Sequence, residues 1–144
     1  MSRINPEQSV IVFDLDDTLY AEYEYKYSGI RAVTALVAKL YPEFGETELL
    51  EKIDADGNGW LDELCALCNF NSEEKKSLLW YYRLHTPVLT PYWHPQKLAA
   101  FIRRFAAAAL ITDGRSLTQR LKLDALGIRY LFDEILVSES SGQE

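Results

Sequence analysis

The chain has 144 residues and a formal net charge of −7; it is 48% hydrophobic, 12% aromatic and 26% charged. That length suits one domain of ordinary size, and the composition excludes a disordered chain. The acidic balance disfavours non-specific binding to nucleic acid or to an anionic membrane. No apolar run approaches the roughly 20 residues that span a bilayer, and residues 1–10 show no signal-peptide pattern. The expectation is a cytoplasmic protein that binds neither nucleic acid nor membrane, and the acidity does not count against a small anionic substrate if a divalent cation sits in the site.

Residues 1–9 are polar and read as a lead-in. Val10-Ile11-Val12-Phe13 predicts a strand over about 10–14, covered on both faces as in a parallel sheet. It stops at Asp14, and Asp16 and Asp17 follow at once. Residues 15–27 read as a loop in which Tyr20, Tyr23, Tyr25 and Tyr27 alternate with small or charged residues. Period two predicts a short hairpin or flap, serving either packing or substrate stacking. Ser28 then reads as the N-cap of a helix carrying Ile30, Val33, Leu36, Val37 and Leu40, and Pro42 ends it. Further helices are expected at about 46–53 and 61–68, with a fourth capped by Asn71 or Ser72 and reaching Leu84.

Pro87, Pro91 and Pro95 punctuate the return to a mixed pattern. A helix is expected from Pro95 to Phe105, a strand over Ala108 to Ile111, and a helix from Ser116 to Leu126 with Leu117, Leu121 and Leu123 or Ala125 inward. Gly127 fits the position just past that helix, and Glu134 to Val137 reads as a third strand. The fold class is α/β: a partial Rossmann-like three-layer parallel sheet of three strands with right-handed crossovers. Residues 1–20 and 91–144 would form the core and 21–90 an inserted helical cap.

Open α/β sheets bind ligands beyond the carboxyl ends of their strands. Asp14 and Asp16 lie there, two apart, so both can face one mouth if the chain stays extended. Two such carboxylates repel and call for a cation or a shared proton. Mg²⁺ suits them, since it takes hard oxygen ligands and keeps positions for water and phosphate. One carboxylate can then attack phosphorus while the other moves a proton. Thr112-Asp113-Gly114 at the next strand end adds a hydroxyl and a small residue past which main-chain N–H groups can reach an anion.

Two other motifs compete for attention. Asp54, Asp56, Asn58 and Asp62, with Gly59 between, resemble an EF-hand calcium loop, but the twelfth position is Cys65 and no second loop pairs with it. The preferred reading is a polar turn whose glycines supply positive φ, with weak Ca²⁺ binding as the alternative. Cys65 and Cys68 form an isolated CxxC without the further ligands of a zinc site, so they read as helix residues, one of them buried.

FDLDDTLY at 13–20 closely resembles motif I of the haloacid dehalogenase (HAD) superfamily, and LITDGRS at 110–116 is similar to its motif II. The helix-rich stretch between them resembles the subgroup with a helical cap inserted after motif I, and residues 126–144 resemble the stretch leading to motif III. The resemblance implies a phosphatase that passes through an aspartyl-phosphate. It makes Asp14 the nucleophile and a Mg²⁺ ligand, and Asp16 the general acid/base with its main-chain carbonyl on the metal. Thr112 becomes the phosphate-binding hydroxyl, with Asp113, Gly114 and Leu15 beside it. The family also places a lysine just after a stretch like 138–144, and further metal-binding acids after a fourth strand. The chain ends at Glu144, and neither Lys97 nor Lys122 matches that lysine's place. The expectation is a fragment of a longer enzyme, ahead of a form completed by a partner or a second copy. Later strands would flank the first, so an uncovered edge there would favour self-association. A catalytically inert relative that binds phosphate or a protein is the competing function. A response-regulator receiver is disfavoured, because its phosphorylated Asp follows a later strand and it has no cap.

Overall fold

A computed structural model describes residues 3–139. Among them the chain forms two compact units: Tyr25–His85, and the residues on either side of it.

The flanking unit is built on a parallel sheet in the order β1 (Val10–Phe13), β2 (Ala107–Asp113), β3 (Glu134–Ser138). The register pairs Val10 with Ala107 and Phe13 with Leu110 on one side, and Ala109 with Glu134 and Asp113 with Ser138 on the other. The central strand opens on three alanines, which prefer helix. Pairing on both edges overrides that preference, and the strand begins one residue earlier and ends two residues later than the sequence suggests. Ala108, Leu110 and Thr112 are buried on one face of β2, along with Leu98 and Ile102 of a helix at Pro95–Ile102 and Leu123 and Leu126 of another at Ser116–Leu126. The second helix ends in left-handed Gly127, as expected. Burial along β1 alternates: Val10 and Val12 are 60% and 55% exposed, and Ile111 and Leu136 are exposed as well. The expectation of a first strand covered on both faces is corrected: among the described residues one face of the sheet is open.

The helical unit comprises most of α1 (Glu22–Leu40), then α2 (Glu46–Lys52), α3 (Trp60–Cys68) and α4 (Ser72–Leu84). The remaining two helices, at Pro95–Ile102 and Ser116–Leu126, are α5 and α6. The predicted tyrosine hairpin does not exist, because α1 already starts at Glu22. Glu22 and Glu24 favour a helix start, and the Asp17 carboxylate accepts the Glu22 N–H at 2.8 Å. Ser28 lies inside α1, not at its cap, and is buried. It and Gly29 are small because α4 passes close: a Cβ on Gly29 would lie 2.2 Å from the Tyr82 ring. Asn71 caps α4 through a reciprocal capping box with Glu74. The unit's core gathers Ile30, Val33, Val37, Leu49, Trp60, Leu64 and Leu78, and both cysteines are buried in it.

Candidate active site

β1 ends at Phe13 while its neighbour runs on to Asp113, so residues 14–19 leave the sheet beside the overhanging end of β2. The turn is tight. Leu19 N–H donates to Leu15 O at 3.0 Å, and Asp17 takes φ 60°. Asp tolerates that left-handed conformation better than most residues, which accounts for one acid of the DLDD run in structural terms.

Asp14 is exposed, and its Oδ1 accepts the Leu15 N–H at 2.8 Å. Asp16 is half-buried and heavily engaged. Its Oδ1 accepts from Lys122 Nζ at 2.9 Å and from the Tyr20 hydroxyl, and its Oδ2 accepts from Gln119 Nε2 at 3.0 Å. Burial pushes the Asp16 carboxyl up, but the Lys122 charge and the hydrogen bonds from Tyr20, Lys122 and Gln119 outweigh it and hold the group below its ordinary value. Glu22, nearby, moves the other way. Partial burial and the charges of Asp16 and Asp17 raise it.

Thr112 is 2% exposed, and its Oγ1 accepts from Gln119 Nε2 at 2.7 Å. The same amide reaches Asp113 O at 3.2 Å. Gly114 is required by its backbone, at φ 140°, and by the Gln119 side chain, which lies 3.0 Å from where a Cβ would sit. Its N–H donates to Ser138 O at 3.1 Å, so it ties β2 to β3 and is not an open oxyanion donor. The Leu15 N–H is likewise spent on Asp14. Of the predicted residues, then, Asp16 and Thr112 are joined through Gln119, with Asp113 attached by its carbonyl.

Gln119 and Lys122 were missed because α6 faces inward with polar residues. Thr118, Gln119, Lys122, Leu123 and Leu126 are buried, whereas Leu117 is 63% exposed and Ala125 is exposed. The expected inward face is corrected at Leu117 and Ala125 and holds at Leu123. The signal was an i, i+3 pair of long polar residues, Gln119 and Lys122, beside Leu123 and Leu126.

For a hard dication the donors are carboxylate and carbonyl oxygens, which suit Mg²⁺. Asp14 fits as a carboxylate ligand. Oδ1 of Asp16 already holds two donors and Oδ2 one, so its carboxylate is the poorer ligand of the two, and the family resemblance assigns its main-chain carbonyl to the metal instead.

The calcium-loop candidates do not converge. Asp56 accepts from the Tyr27 hydroxyl, and Asp62 pairs with Lys75 at 2.6 Å. Asp54 Oδ1 accepts the Asp56 N–H at 3.1 Å, while Lys26 Nζ donates to Gly57 O at 2.8 Å. No group of three metal-ligating side chains forms among the described residues. Neither Gly57 nor Gly59 has positive φ, which corrects the reason given for these glycines. His85 ties two helices together: its Nδ1 lies 2.5 Å from Tyr82 O and its Nε2 3.0 Å from Ser28 Oγ.

No family model matches the chain. It is 32% identical over 143 residues to the glyceraldehyde 3-phosphate phosphatase of Methanocaldococcus jannaschii, an alignment that covers 92% of this chain and 63% of that protein. Among solved structures, a HAD-superfamily hydrolase of subfamily IA from Geobacter sulfurreducens superposes with a TM-score of 0.56 at 11% identity, covering 90% of this chain and 62% of that one. A protein assigned as a HAD-hydrolase from Bacillus subtilis, solved bound to magnesium, gives 0.54 at 16%, covering 91% and 64%. The chain thus spans less than two thirds of the length of these relatives. The parallel sheet and these superpositions agree: the described residues have the fold of haloacid dehalogenase-superfamily hydrolases.

Proposed function

We propose that the protein is a Mg²⁺-dependent phosphohydrolase of small phosphorylated metabolites, working through an aspartyl-phosphate on Asp14. One observation carries the reading: an exposed carboxylate, Asp14, stands two residues from a second, Asp16, that is hydrogen-bonded through Gln119 to the hydroxyl-bearing end of the next strand. Asp14 attacks phosphorus, and the bond to the leaving oxygen breaks as Asp16 gives that oxygen a proton. Asp16 then takes a proton from the water that opens the aspartyl-phosphate. In the ligand-free site Asp16 is held ionised. A dianionic phosphate arriving beside it raises its proton affinity, as any neighbouring negative charge does. Mg²⁺, held by Asp14 and the Asp16 carbonyl, would supply positive charge against the phosphoryl oxygens. The name of the Methanocaldococcus relative makes a phosphorylated triose the first substrate to test.

The engaged N–H groups of Leu15 and Gly114 favour the competing reading, a binder without turnover. Self-association is proposed as well. Among the described residues β1 is paired only with β2, and it exposes Val10 and Val12.

The test is hydrolysis of p-nitrophenyl phosphate and glyceraldehyde 3-phosphate with and without Mg²⁺, by this chain and by a longer form. Turnover should need Mg²⁺ and fall to background in Asp14→Asn. Activity that survives this substitution would overturn the nucleophile, and inactivity of both forms would leave the binder.

A further inference from the structure

The three hydrogen-bond donors that hold Asp16 are unevenly shared. An ionised carboxylate offers about four lone-pair sites, two on each oxygen. Lys122 Nζ and the Tyr20 hydroxyl both sit on Oδ1, while Gln119 Nε2 sits alone on Oδ2. Two donors thus saturate Oδ1, and one site remains on Oδ2. The carboxylate is also prevented from turning. Lys122 is 6% exposed, and its ammonium lies 5.8 Å from the centre of the Tyr20 ring. Gln119 is 2% exposed and is held in turn by Thr112 Oγ1.

We propose that Gln119 and Lys122 are positioning residues that lock Asp16 and make Oδ2 the oxygen that carries the proton. The proposal rests on the phosphohydrolase reading and extends it from motif I to α6. When the phosphorus bond to the leaving oxygen breaks, the proton leaves Asp16 Oδ2 for that oxygen. When water attacks the aspartyl-phosphate, its proton returns to Oδ2, while Oδ1 keeps Lys122 and Tyr20 throughout. Because the amide that touches Oδ2 also touches Thr112, a phosphate held at that hydroxyl is presented on the Oδ2 side.

A purely structural ion pair would slow every substrate alike. A tether of the general acid matters most where the leaving group needs a proton. The test compares kcat/KM on β-glycerophosphate, whose alkoxide must be protonated, with p-nitrophenyl phosphate, whose phenolate leaves unaided. Lys122→Met is expected to lose about tenfold more on the alkyl ester than on the aryl ester, a fraction of the 10²–10⁴ that a placed general acid contributes. Gln119→Leu, which keeps the ion pair and serves if Lys122→Met does not fold, is expected to act in the same direction. Equal losses on the two esters would overturn the tether.

Carboxyl ¹³C spectra of aspartate-labelled protein, with the Asp16 signal identified by Asp16→Asn, give a readout independent of turnover. Lys122→Met should shift the Asp16 resonance and leave Asp14 in place, and an unmoved Asp16 resonance would overturn the proposal. If the unsubstituted protein hydrolyses neither ester, or Asp14→Asn hydrolyses them as well, the phosphohydrolase reading fails and the spectra alone decide the tether.

Discussion

His85 shows what one buried ring can control. Burial lowers its proton affinity, against a smaller opposite effect of the Tyr82 carbonyl. The carbonyl fixes the proton on Nδ1, which leaves Nε2 to accept from the Ser28 hydroxyl. With the folded-state value below the unfolded one, the unfolded chain binds the extra proton first, so stability falls as pH drops through about 6.5. The stability advantage of the unsubstituted protein over His85→Gln should therefore shrink between about pH 7.5 and 5.5, as urea denaturation at each pH will show. An advantage that grows with acidity would mean that the ring is charged in the fold. Gly114 is a second single-residue constraint. Gly114→Ala forces an L-residue to φ 140° and drives a methyl into Gln119, so it should cost about 1–3 kcal/mol in chemical denaturation.

Elements were legible in the sequence where one rule acted alone. The α4 capping box, the αL glycine after α6 and the apolar β3 all follow from local chemistry. Asn71→Ala should accordingly cost about 1 kcal/mol, read as a lower melting temperature of the helical signal by circular dichroism. Elements were misread where tertiary context outvoted the local pattern. The alternating tyrosines look like a strand, yet Tyr25 and Ser28 follow α-helical spacing because each meets the far end of α4: the Tyr25 hydroxyl donates to Tyr82 O at 3.1 Å, and Ser28 bonds His85. The same holds for the site. Asp14, Asp16 and Thr112 announce themselves by motif. Gln119 and Lys122 were hidden because burial of polar groups depends on partners about a hundred residues away, which no periodicity reports.

At the scale of the molecule, the open sheet face and β1, paired among the described residues only with β2, invite self-association. Parallel sheets are normally covered on both faces. Val10, Val12, Ile111 and Leu136 leave this one apolar and exposed. Self-association should therefore be visible by sedimentation velocity at micromolar concentrations. Val12→Lys, placed on the same strand, should weaken it without touching the carboxylates. A monomer at every concentration would remove the edge and face as contacts.

The clasp around the insertion has a kinetic meaning. β1 pairs with a strand roughly a hundred residues further along, and closing so long a loop is slow when the chain between is loose. The two crossing points are fastened to each other instead. Tyr92 N–H donates to Leu19 O at 2.9 Å, and Thr90 N–H donates to the Glu24 carboxylate at 2.7 Å. A helical unit that folds first draws these fasteners together and shortens the search that β1 and β2 must make. Assembly would then run from the inside of the chain outward, with the strand ends that carry Asp14 and Thr112 meeting last.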